Sequence, residues 1–321
     1  MSLIKQSIPL TVYRAESSTL ASITSEKLKQ FAFRSIDNVP EEKAWGFVNC
    51  DDMFDTEWNA SVPEKGPYMA FGFRVDVRRI APAILKKHVA EKVREEIERL
   101  QTQGKKFLTK GRKGEIRDHC KSLLLSQTEP RPSMYGVAVD MFTGLVYIAS
   151  TSKSVLELFE KHMESAFGGE LERLYPTALS GITGGSDHPL EDLMRDLYAE
   201  SMTLPLGGKS YGIAEQGKAT LSRTDGASVS VTDAPDSARA GLESGLLLTS
   251  LKLRLSSMPD DELVSIFTLN ADFSFSGLKT PRIHREKGAD ADPDANFLLK
   301  MGFIEETVAT MHALFRQHMG N

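Results

Sequence analysis

The run YMAFGFRVDV at 68–77 alternates aromatic or apolar residues with small or charged ones, the period of a half-buried strand. A first strand is predicted over 8–14, and Leu20, Ile23, Leu28 and Phe31 predict a single helix over 18–31. Between these segments Trp45-Gly46-Phe47-Val48 leads into a polar, acidic stretch through Trp58 that reads as an irregular loop. From Pro82 the period lengthens. Leu85, Val89, Val93, Ile97 and Leu100 recur at helical spacing, with Pro82 suited to a first turn and Gly104 placed as a stop. A second helix is predicted over 114–125, with Ile116, Cys120, Leu123 and Leu124 inward, halted by Pro130 and Pro132.

Two alternating runs, 135–141 and 145–150, meet through Thr143-Gly144 as a hairpin, and a helix over 155–167 ends before Gly168-Gly169. The second half adds a helix over 189–201, a hairpin turn at Asp225-Gly226, strands over 246–255 and 263–269, and a terminal helix over 295–318. Gly207-Gly208, residues 233–236 and residues 280–294 read as flexible connections. The pattern predicts an α+β protein. Residues 1–77 and 133–170 form a first mixed domain, 78–132 a projecting helical pair inserted into it, and 171–321 a second α+β domain.

Composition narrows the class. With 321 residues, 40% apolar and 26% charged, the chain is that of a globular protein of more than one domain. Cys50 and Cys120 are too few for a disulfide framework or a zinc site built on cysteine pairs. No run approaches the roughly 20 apolar residues of a membrane helix, and MSLIKQSIPL lacks a signal peptide's apolar core, so a cytoplasmic protein without membrane partners is expected.

Catalytic motifs fail in instructive ways. Gly207-Gly208-Lys209-Ser210 imitates the end of a phosphate-binding loop, but Thr203 stands where its first glycine belongs. In Gly241-Leu242-Glu243-Ser244-Gly245 the serine comes one place too late for a nucleophile elbow. The seven histidines never take the i, i+4 spacing with an intervening Glu that a zinc hydrolase uses. Asp51-Asp52 and Asp260-Asp261 sit in turn-like contexts where capping explains them. The expectation is no enzyme, no cofactor and no metal.

Charge gives the one positive signal. The chain carries a net charge of -5, yet Lys105, Lys106, Lys110, Arg112, Lys113, Arg117 and Lys121 meet only Glu115 and Asp118 nearby. Between Lys86 and Arg99, by contrast, five bases face four acids, and the face neutralises itself. A local excess of that size suits either a solvated linker or contact with a polyanion. Gly104, Gly111 and Gly114 would let a phosphate approach the backbone, and Phe107 could lie against a base or in the core. Lys252 and Arg254 alternate with Leu251, Leu253 and Leu255, so both bases share the non-core face of their strand as a second candidate DNA-binding set. Arg282, Arg285 and Lys287 form a third group, followed closely by Asp290, Asp292 and Asp294.

The chain resembles the bacterial recombination-associated RdgC family. The carriers are LTVYRAESSTLASITSEKLKQFAF at 10–33, AWGFV at 44–48, IAPAILKKHVAEKVREEIERLQTQGKKFLTKGRKGEIRDHCKSLLL at 80–125, GVAVDMFTGLVYIASTS at 136–152 and DANFLLKMGFIEETVATMHALF at 294–315. The resemblance implies a ring-shaped homodimer with a basic lining that encircles duplex DNA without sequence preference. It also implies restraint of a RecA-type recombinase by competition for DNA, and a nucleoid-associated location. A ring reconciles an acidic exterior with a basic lining. The chain departs from the family at Ser126 to Pro132, where relatives carry an Arg- and Phe-bearing stretch that helps close the ring. It departs again at Val231 to Pro235, where they have a Lys-rich stretch. The alternatives from other classes are an adaptor whose basic helices dock an acidic protein, and a nuclease, which would need clustered carboxylates holding magnesium.

Overall fold

The computed structural model describes residues 3–37, 39–102, 107–174, 189–223, 228–282 and 293–320. The chain opens with β1 (Ile8–Arg14), α1 (Ser17–Ser22) and α2 (Ser25–Gln30). Two short helices replace the one that the apolar spacing predicts, because the Thr24 hydroxyl accepts the Lys27 N–H at 3.3 Å and caps a new helix. Next come β2 (Lys43–Val48), β3 (Glu64–Lys65) and β4 (Tyr68–Val77). The predicted helical pair follows as α3 (Pro82–Thr102) and α4 (Lys110–Gln127), and then β5 (Arg131–Asp140), β6 (Leu145–Ile148), α5 (Lys153–Phe167) and β7 (Glu172–Arg173).

The remainder comprises α6 (Pro189–Ala199), β8 (Met202–Leu206), β9 (Lys209–Ser222), β10 (Ser228–Thr232), α7 (Pro235–Glu243), β11 (Leu247–Met258), β12 (Glu262–Asn270), β13 (Phe275–Lys279) and α8 (Pro293–Gly320). Gly207 and Gly208, at φ 60° and 81°, make a two-residue turn between β8 and β9 rather than a flexible connection. Residues 233–236 likewise are no loose link, since α7 starts at Pro235. β9 and β10 pair antiparallel as a hairpin, although its Asp225-Gly226 turn lies outside the described residues. So does most of 280–294.

Among the described residues the strands form one antiparallel sheet in the order β10-β9-β11-β12-β13-β1-β6-β5-β4-β2, with β3, β7 and β8 attached beside it. β1 is the joint, hydrogen-bonded to β13 on one edge and to β6 on the other. One core lies beneath α8. It gathers Leu10, Tyr68, Ala70 and Tyr147 from the first half with Leu251, Leu253, Leu255, Phe267 and Leu269 from the second, against Phe297, Met301, Ile304, Val308, Met311 and Phe315 of the helix. The opposite face of β4, β5 and β6 holds a second core under α5, built from Phe47, Phe71, Phe73, Val137, Val139, Phe159 and Met163. β4 is therefore buried on both faces and not half-buried, as its alternation suggests. The start of α8 is pinned by buried Lys65, which bonds Asp51 at 3.2 Å and also Asp294.

His162 of α5 sits among Phe31, Phe47 and Phe73, and its Nε2–H donates to the Phe31 carbonyl at 3.0 Å. Burial holds its pKa below the usual 6.5, against the opposing effect of that hydrogen bond. His312 is lowered too, by burial and then by Arg316 and Arg14. The unfolded chain binds protons that these imidazoles refuse, so their contribution to stability is present above about pH 6.5 and lost as pH falls through the lowered folded values. Melting temperature should accordingly fall from about pH 7.5 to about pH 5, and His162→Phe should flatten that fall. A variant with the parent's pH slope would show that His162 does not contribute.

Candidate nucleic-acid interface

β4 and β5 are hydrogen-bonded neighbours, paired from Tyr68 with Asp140 to Val77 with Arg131. The helical pair is thus an insertion at the end of a ladder that closes without it. α3 has no buried residue and packs chiefly on α4. Leu85, Val89, Val93, Ile97 and Leu100, which the spacing picks out, are all half-buried, together with His88 and Glu96. At 21 residues, α3 makes an arm about 30 Å long. α4 starts at Lys110, four residues before the predicted position, because the Thr109 hydroxyl accepts the Arg112 N–H at 3.3 Å. Cys120, Leu124 and Leu125 are buried, while Leu123, expected inward, is 44% exposed.

At 100° per residue, Lys110, Lys113, Arg117 and Lys121 fall within about 80° of one another on α4, a single basic stripe. Arg112 points elsewhere. It pairs with Glu96 of α3 at 3.2 Å and with Glu115 at 2.7 Å, where Glu96 also takes Arg99. Glu96 is held ionised below the usual carboxylate range, chiefly by hydrogen bonds from Arg112 and Arg99 that outweigh its desolvation. Lys121 pairs with Glu42, ahead of β2. A charge count over residues 105–121 misses these two acids, because neither is a sequence neighbour. On α3, Lys87 meets Glu91 as its spacing suggests, whereas Arg99 takes Glu96 and leaves Glu95 to Lys92. Lys110, Lys113 and Arg117 stay exposed and have no carboxylate partner among the described residues. Lys105 and Lys106 lie outside the described residues.

Two further features show how little packs around the head of α4. A Cβ at Gly111 or Gly114 would meet nothing within 4 Å, so internal packing does not require either glycine, although each weakens a helix by about 0.5–1 kcal/mol relative to alanine. Phe107, at the head of α4, is 86% exposed and takes no part in the core.

The second candidate set lies where its alternation places it, on the face of β11 opposite Leu251, Leu253 and Leu255. Lys252 is opposite Thr268, and Arg254 is opposite Ile266, which in turn pairs with exposed Lys279. Arg254 is occupied: it donates to the Asp261 carboxylate at 2.9 Å and to the Asp261 carbonyl at 3.1 Å. Lys252 is half-buried without such a partner among the described residues. Of the third group only Arg282 and Asp294 are described. Arg282 is exposed, and Arg285, Lys287, Asp290 and Asp292 lie outside the described residues.

Ser126 to Pro132 spans the end of α4 and the start of β5, while Val231 to Pro235 runs from exposed edge strand β10 into α7. Sequence reading passed over Arg78, Arg79 and Arg131, which flank the arm at its two roots. The basic pair Arg78-Arg79, separated from Pro82 by Ile80-Ala81, is the available signal. Among the described residues no three His, Cys, Asp or Glu side chains gather to hold a metal ion, and no helix is long and apolar enough to cross a membrane. No protein-family model matches the chain, and no curated protein matches it.

Proposed function

We propose that this chain binds duplex DNA through its helical arm, without sequence preference and without catalysing a reaction. In this reading it acts as a ring-shaped homodimer of the RdgC type, associates with the nucleoid and restrains a RecA-type recombinase by occupying the DNA it needs. The observation that carries the proposal is that Lys110, Lys113 and Arg117, exposed on one stripe of the arm, have no carboxylate partner among the described residues. A surface helix that serves only solubility neutralises itself, as α3 does with Lys92–Glu95 and Arg99–Glu96. α4 does so on the side turned to α3 and at Lys121, which meets Glu42, but not at Lys110, Lys113 or Arg117 among the described residues. No base-reading module is recognisable, so binding should run through the phosphate backbone. The open edge of β10, with Val229 53% exposed, supports self-association.

A salt series of duplex binding by the purified protein tests the proposal. With about 4 to 6 phosphates neutralised, log K should fall against log salt with a slope of roughly -4 to -5, alike for unrelated sequences. A flat response, or strong preference for one sequence, would sink it and favour an acidic protein partner for the arm.

A further inference from the structure

A second basic feature lies at the root of the arm. Arg78 and Arg79 follow β4 where the chain leaves for α3, and Arg131 opens β5 where it returns. With Lys43 of β2 they line a cavity of about 460 Å³, shared with Ser152 and Ser154 at the N-terminus of α5. Ser152 is the N-cap of that 15-residue helix, yet its hydroxyl accepts no backbone N–H; it lies 3.3 Å from the Ser154 hydroxyl instead. The first amides of α5 are left uncapped, with the positive end of the helix dipole turned to the cavity.

Charge there is unbalanced. Glu42, the one acid in the lining, is paired with Lys121. No carboxylate pairs with Lys43, Arg78, Arg79 or Arg131 among the described residues. Arg78 is only 4% exposed. One Nη donates to the carbonyls of Val39 and Glu41, but its buried Nε–H has no acceptor. Four cations with no carboxylate partner among the described residues, lining one cavity beside a helix N-terminus, are complemented by an anion with several acceptor oxygens.

We infer that this cavity binds a phosphate group. A carboxylate would offset one charge and offer two oxygens, whereas a phosphate offers oxygens to the forked arginines, the serine hydroxyls and the amides of α5 together. Bound there, it would bridge both roots of the arm to α5. The cavity shares no residue with the α4 stripe, so this inference does not depend on the proposed function. The phosphate has two possible sources, the backbone of a duplex lying along the arm or a small phosphate compound.

Calorimetric titration at constant ionic strength tests the site, with inorganic phosphate in one arm and a duplex oligonucleotide in the other. The parent should bind inorganic phosphate saturably. Arg79→Gln with Arg131→Gln, two exposed side chains whose loss leaves the sheet intact, should weaken that binding about a hundredfold, roughly tenfold per charged contact. Lys110→Gln, Lys113→Gln and Arg117→Gln together should leave it unchanged. If the Arg79/Arg131 variant also loses duplex affinity, the phosphate is that of the backbone. If duplex binding is unaffected, a small phosphate compound is the ligand, and both results uphold the site. Absence of saturable phosphate binding at millimolar concentration, or equal binding by parent and Arg79/Arg131 variant, overturns it. Loss of phosphate binding in that variant, with normal DNA binding by the stripe variant, keeps the site and removes the DNA reading of the arm.

Discussion

Replacing residues 80–130 with a short Gly-containing turn is expected to leave a folded body that no longer binds DNA. The fold should survive because Val77 and Arg131 are already ladder partners, so the turn closes an existing hairpin. α3 contributes no buried residue, and α4 contributes Cys120, Leu124 and Leu125. Binding should be lost because the excised segment holds the unpaired stripe. In the proposed dimer, the three stripe bases of each subunit, at on the order of 1 kcal/mol apiece against a polyanionic surface, amount to about 10⁴-fold in affinity. Far-UV circular dichroism and a binding titration read the two halves of this prediction separately. A folded body that still binds duplex normally would place the interface elsewhere, with the Lys252 face next in line.

Phe47→Ala should destabilise the body by about 3–5 kcal/mol. Phe47 is fully buried on β2, with ring centroids 5.0 Å from Phe71, 4.5 Å from His162 and 5.5 Å from Phe167. It joins β2 to the core under α5 through these ring contacts, all of which alanine would remove. Denaturant unfolding should register the loss as a lower midpoint with little change in slope. A cost under about 1 kcal/mol would mean that this core is less tightly packed than its ring contacts imply.

The parts of the fold legible in the sequence are those where one physical signal acts alone. α3 and α8 show long apolar periods, and the β5–β6 hairpin carries a turn signal between alternating runs. The reading failed where a local signal competes with the period. Thr24 caps a new helix inside an unbroken apolar spacing, and Thr109 starts α4 ahead of two glycines. It failed again where tertiary contact decides: β4 is covered on both faces by α8 and α5, which lie far away in the chain. The candidate interface follows the same division. Local charge counting located the stripe on α4, but only the packing of α3 and the approach to β2 reveal that Arg112 and Lys121 are already paired. Arg78 and Arg79 stand out as a basic pair, but their convergence with Arg131 and Lys43 comes through the sheet and follows from no spacing in the sequence.

The most direct test compares the salt dependence of duplex binding for three proteins: the parent, the Lys110→Gln, Lys113→Gln, Arg117→Gln variant, and a Lys252→Gln, Arg254→Gln variant. Each lost phosphate contact lowers the slope's magnitude by about 0.9, so three per subunit in the proposed dimer should remove essentially all of a parental slope of roughly -4 to -5. The account predicts a weak, nearly salt-independent arm variant and a sheet variant close to the parent. An arm variant that binds with the parent's affinity and slope would contradict it.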